Sequence, residues 1–95
     1  MSQRDGKHLR LDGALTVQTA AAVLDEATRA LRDGVEVVDF GAVAEVDSAA
    51  VAVALALVRE ARGAGRPIAF ANVPPSLANL ARLYSVADFI PVAGR

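Results

Sequence analysis

The chain has 95 residues, enough for one domain with its own core and too few for two. Hydrophobic residues make up 54% and aromatics only 4%, so Ala, Val and Leu must build that core and its elements must pack closely. Ten Lys and Arg against eleven Asp and Glu give a formal charge of -1, which supplies no basic field for nucleic acid.

Cysteine is absent, which excludes a disulfide framework, a thiol nucleophile and a thiolate metal site, and fits a reducing compartment. His8 is the one imidazole. Met1 to Leu11 is polar and lacks the apolar stretch of a signal peptide. The longest apolar run, Ala49 to Val58, is about half of the ~20 residues a membrane span needs. The expectation is a soluble, cytoplasmic protein.

His8 to Leu11 alternates polar residues with Leu9 and Leu11, the period of a strand with one buried face, and Asp12-Gly13 reads as a turn. A short extended piece at Ala14 and Leu15 follows. From Val17 to Arg32, Ala20, Val23, Leu24, Ala27 and Leu31 recur at spacings of three and four, which predicts an amphipathic helix. Thr16 is its expected N-cap, Arg29 and Arg32 suit its C-terminal end, and Gly34 is placed to stop it.

Val35 to Phe40 is β-branched and bounded by glycines, a central strand, and Ala42 to Val46 reads as a connection. Ala49 to Val58 fits either period, but the run continues to Arg62, alanine favours helix, and Asp47 or Ser48 makes a good cap. Gly63 to Pro67 is a turn, Ile68 to Phe70 a strand, and Asn72 to Pro75 a loop. A last helix spans Ser76 to Leu83, with a short apolar tail from Val86 to Val92. Strand, strand, helix, strand, helix, strand, helix predicts one small α/β layer domain, its core about residues 7–92.

Enzyme chemistry finds little footing. His8 assembles into no convincing triad. Gly63-Ala64-Gly65 follows a helix and precedes a strand, the reverse of a nucleotide-binding loop, and reads as a helix stop. Glu45 and Asp47 have no apolar surroundings to separate their pKa values; exposure and capping are the expected roles. No catalytic residue, cofactor or metal ligand is assigned. The informative segment is Val46-Asp47-Ser48-Ala49-Ala50-Val51, which delivers a hydroxyl to a helix start. There Ser48 can serve as a cap residue, a phosphoacceptor or a partner contact.

Val37-Val38-Asp39-Phe40, then Val46 to Val51 opening a helix, then Ile68-Ala69-Phe70-Ala71-Asn72-Val73, resembles the STAS domain of bacterial anti-sigma factor antagonists and several transporters. The resemblance covers nearly the whole chain and implies a mixed sheet with helices against it. Leu77 to Val86 is most similar to MlaB-type proteins, the small STAS subunits of the Mla phospholipid ABC transporter. That resemblance implies a non-enzymatic adaptor bound to the transporter's cytoplasmic, MlaF-like ATPase at the inner face of the inner membrane, serving outer-membrane lipid asymmetry. The alternative it implies is an anti-sigma factor antagonist, with a kinase as partner and Ser48 as the phosphorylated serine. Ala49 and Ala50 stand where such antagonists usually carry Ser or Thr and then Gly.

On a helical wheel Val51, Leu55 and Val58 fall on one side of the second long helix and Val53 and Leu57 roughly opposite. If one side meets the sheet, the other is either covered by neighbouring helices or left as an apolar docking face. The expected partner surface is therefore Asp47, Ser48, Ala49 and Ala50 at the helix start, with Val53 and Leu57 beyond.

Overall fold

A computed structural model describes residues 2–93. The chain runs β1 (Ser2–Asp5), β2 (His8–Leu15), α1 (Ala20–Arg32), β3 (Val37–Val46), α2 (Ser48–Gly63), β4 (Ala69–Ala71), α3 (Pro75–Leu83) and a 3-10 turn over Ala87–Phe89. The sheet order is β1-β2-β3-β4, with β1 antiparallel to β2 and the rest parallel. Because β2, β3 and β4 lie side by side in chain order, right-handed crossovers put α1 and α2 on one face. The polar side chains of Gln3, Asp5, His8, Arg10 and Asp39 line a shallow concavity on the sheet.

The element order is the expected one, but the first two strands are not those expected. Asp12-Gly13 is no turn: β2 runs through it to Leu15, and the glycine, at φ +75°, sits where the pairing with β3 changes register. The additional strand is β1, a charged edge that pairs Asp5 with His8 across Gly6-Lys7. Gly6 at φ +60° supplies the positive φ a two-residue hairpin requires at its first central position. Likewise, the expected connection from Ala42 to Val46 is the second half of β3, paired to β2 as far as Leu15–Val46. Exposure of Gly41, Ala42, Ala44 and Glu45 hides the strand period there.

The first helix begins at Ala20 rather than Val17. The Thr19 hydroxyl accepts from the Thr16 amide at 3.0 Å and donates to the Ala14 carbonyl at 2.9 Å, holding residues 16–19 as a turn ahead of the helix. The expected stop at Gly34 is a Schellman closure: at φ +103°, Gly34 N donates to Leu31 O and Val35 N to Ala30 O. Gly65 closes α2 in the same way onto Arg62 and Ala61. At the end of α3 the left-handed position falls on Ser85, at φ +60°.

Leu9, Leu11 and Leu15 of β2, Val38 and Phe40 of β3 and Phe70 of β4 meet Val23, Ala27 and Leu31 of α1 and the inner side of α2 in one core. Phe40 and Phe70 pack edge to face at 5.3 Å. The apolar tail also pairs with β4: Phe70 N donates to Pro91 O and Ala93 N to Phe70 O, which covers that sheet edge.

Candidate functional site

Helix α2 decides where a functional surface can lie. Projected at about 100° per residue, its buried positions form one arc of roughly 160° centred on Ala50, Ala54 and Ala61, with Val53 and Leu57 on one flank and Val51 and Val58 on the other. The alanines at the centre share one core with the Leu, Val and Phe side chains of the sheet, and α1 and α3 close on the flanks. Val53 and Leu57 are thus core residues, 3% and 0% exposed, and Ala50 is 0% exposed. These three cannot form the docking surface expected of them. The sequence reading placed the sheet against one flank and solvent against the other, when the sheet lies between them.

The outer arc of α2 carries Ser48, Ala52, Leu55, Arg59 and Arg62. At its start Asp47 is the N-cap, and its Oδ1 accepts from the Ala49 amide at 2.8 Å. Its Oδ2 accepts from the Val17 amide at 3.0 Å, thirty residues away in sequence. One carboxylate therefore ties the loop before α1 to the first turn of α2. Ser48 is exposed at this corner and Ala49 half-buried. Val17 is 74% exposed beside the pair. Nothing in the sequence announces Val17 as a surface residue of this site, because its contact with Asp47 exists only once the two loops meet.

The corner also constrains what a phosphate could do at Ser48. The Ala49 amide is taken by the Asp47 side chain and the Ala50 amide by the Asp47 carbonyl at 3.0 Å. An added anion would find these first-turn donors occupied and a carboxylate beside it.

Other candidate residues stay apart. His8 pairs with Val37 at one end of β3, while Ser48 follows Val46 at the other, about 30 Å of extended strand away. Glu45 is exposed, as expected. Among the described residues no group of three or more His, Cys, Asp or Glu could hold a metal ion. No helix among the described residues is long and apolar enough to cross a membrane.

No curated protein matches the sequence. Among solved structures, the anti-sigma factor antagonist SpoIIAA in its unphosphorylated form superposes with a TM-score of 0.71 at 16% identity, covering all of this chain and 88% of that one. A Thermotoga maritima protein, tm1081, named for a suggested role as an anti-sigma factor antagonist, gives 0.74 at 12% identity over 97% of this chain and 83% of that one. At these identities the likeness is one of fold. The family model described as "Mlab, STAS domain" matches residues 1–91. With a four-stranded mixed sheet, three helices and an Asp-Ser corner opening the second of them, this chain belongs to the STAS domain family.

Proposed function

We propose that the protein is a non-enzymatic adaptor that docks, through the corner formed by Val17, Asp47, Ser48 and Ala49, onto the cytoplasmic ATPase of an Mla-type phospholipid ABC transporter. The carrying observation is the Asp47 clamp: it ties the loop that carries the exposed Val17 to the helix start that carries the exposed Ser48 hydroxyl. A surface ordered before binding loses less conformational freedom on association, which favours recognition of a folded partner. The match to the "Mlab" family model supports the choice of partner. Lipid asymmetry of the outer membrane is the process such an adaptor would serve, held at the inner membrane through its ATPase.

A second reading, an anti-sigma factor antagonist switched by a serine kinase, draws on two observations. Ser48 is open to a kinase, and the fold superposes on SpoIIAA. Occupied first-turn amides and Asp47 beside the hydroxyl count against a phosphate stabilised within the domain.

Size-exclusion chromatography of the purified protein with a cognate Mla-type ATPase tests the first reading. The expected result is a stable complex that Ser48→Asp weakens at least about tenfold, because a second carboxylate must be desolvated next to Asp47, while Ser48→Ala binds normally. No complex with the ATPase, together with stoichiometric phosphorylation of Ser48 by a partner kinase, would transfer the assignment to the second reading.

A further inference from the structure

The C-terminal half of α2 borders a second surface. A groove of about 580 Å³ runs between it and the segment after α3, lined by Leu55, Val58, Arg59, Arg62, Gly63, Val86 and Phe89. Phe89 is 55% exposed, and Leu55 is the large apolar residue on the outer arc of α2. No acidic side chain lines the groove. Two acids adjoin lining residues in sequence: Glu60 is turned toward α1, where Arg32 holds it at 3.1 Å, and Asp88, beside Phe89, is exposed but does not line the groove. Arg59 and Arg62 take part in no ion pair or side-chain hydrogen bond among the described residues. Two unpaired guanidinium groups therefore flank an apolar trough on a protein whose formal charge is -1.

We infer that this groove is a second docking site, taking an acidic amphipathic helical segment of a partner protein. Apolar side chains on one face of that segment seat against Leu55, Val86 and Phe89, and carboxylates flanking them pair with Arg59 and Arg62, which offer forked donors suited to carboxylate. An anionic membrane is the poorer occupant. A recessed trough presents little to a flat surface, and two basic residues supply little headgroup attraction. The site is separate from the Asp47–Ser48 corner: Ser48 and Arg59 are eleven residues apart on one helix, roughly 16 Å.

The test titrates the full-length protein with a fluorescein-labelled designed helical peptide, about four turns long, carrying Leu at helical spacing and Glu on either side of that stripe. A second peptide replaces every Glu by Lys. The acidic peptide should bind with a Kd on the order of 10–100 µM and shift the backbone amide resonances of Leu55, Val86 and Phe89. The double variant Arg59→Glu/Arg62→Glu, whose sites are exposed and whose fold is checked by amide dispersion, should lose at least about tenfold in affinity and bind the Lys peptide instead. Arg10→Glu, a change of like sign on the sheet, should leave binding unchanged. Equal binding of both peptides, no binding of either, or acidic-peptide binding that survives the double variant would overturn the inference. So would Arg59- and Arg62-dependent binding to phosphatidylglycerol vesicles without peptide binding, which would make the groove a lipid contact.

Discussion

The inner and outer arcs of α2 are set apart by only three polar residues and have opposite roles. The inner arc is Ala50, Val51, Val53, Ala54, Leu57, Val58 and Ala61, all buried. The outer arc interrupts its apolar positions, Ala52 and Leu55, with Ser48, Arg59 and Arg62. In a helix that is apolar nearly all round, the side chains that matter for orientation are the few that are costly to bury. Ser48, Arg59 and Arg62 fix the outward side, and every large residue on the remaining arc becomes core, including the two that look most suited to a partner.

Leu57→Glu challenges that contrast most severely. Losing a buried leucine costs about 2–5 kcal/mol, and an unpaired carboxylate in its place adds to this, against a total stability of about 5–15 kcal/mol. The variant should be unfolded by circular dichroism at 25 °C. A cooperative melt near the wild-type temperature would show that Leu57 is not core. On the outer arc, Ala52→Glu should change stability by less than about 0.5 kcal/mol in urea denaturation, since Ala52 is exposed; a loss of several kcal/mol would erase the difference between the arcs.

Between those extremes lies Asp47→Ala. Removing an N-cap costs about 1 kcal/mol, and losing the bond to Val17 adds a similar amount, so about 2 kcal/mol is expected from chemical denaturation. Amide hydrogen exchange should accelerate at both Val17 and Ala49. Acceleration at Ala49 alone would mean that Asp47 caps α2 without tying down the other loop. A smaller effect of opposite sign is expected at the end of α3. Ser85 occupies the left-handed region that Gly34 and Gly65 fill at the other two helix ends, so Ser85→Gly should stabilise the domain by up to about 1 kcal/mol. A fall in melting temperature would show that the serine side chain contributes something glycine cannot replace.

Local chemistry was legible at the helix ends. Gly34 and Gly65 end helices because the chain turns through positive φ there, and Asp47 caps α2 because its oxygen reaches the second amide of the first turn. The alternation of Leu9 and Leu11 marked β2 through burial of one sheet face. Harder to read were the pieces that tertiary contact sustains. β1 is a polar strand with no apolar face, held by pairing with β2, and the second half of β3 is sustained by its register with residues 12–15.

By itself, then, the sequence determined the alternation of strands and helices, the stops of α1 and α2 and the Asp47 cap that opens α2, because these depend on a few neighbouring residues; the expected cap Thr16 lies ahead of α1, whose N-cap is Thr19. Tertiary structure alone decided that Val53 and Leu57 are core, that Val17 joins the Asp47–Ser48 corner, and that Leu55, Arg59 and Arg62 meet Phe89 across a groove. The physical reason is that a side chain's exposure is set by what packs against its element. For α2 those neighbours are a sheet and two helices whose positions follow from topology rather than from the helix's own pattern of residues.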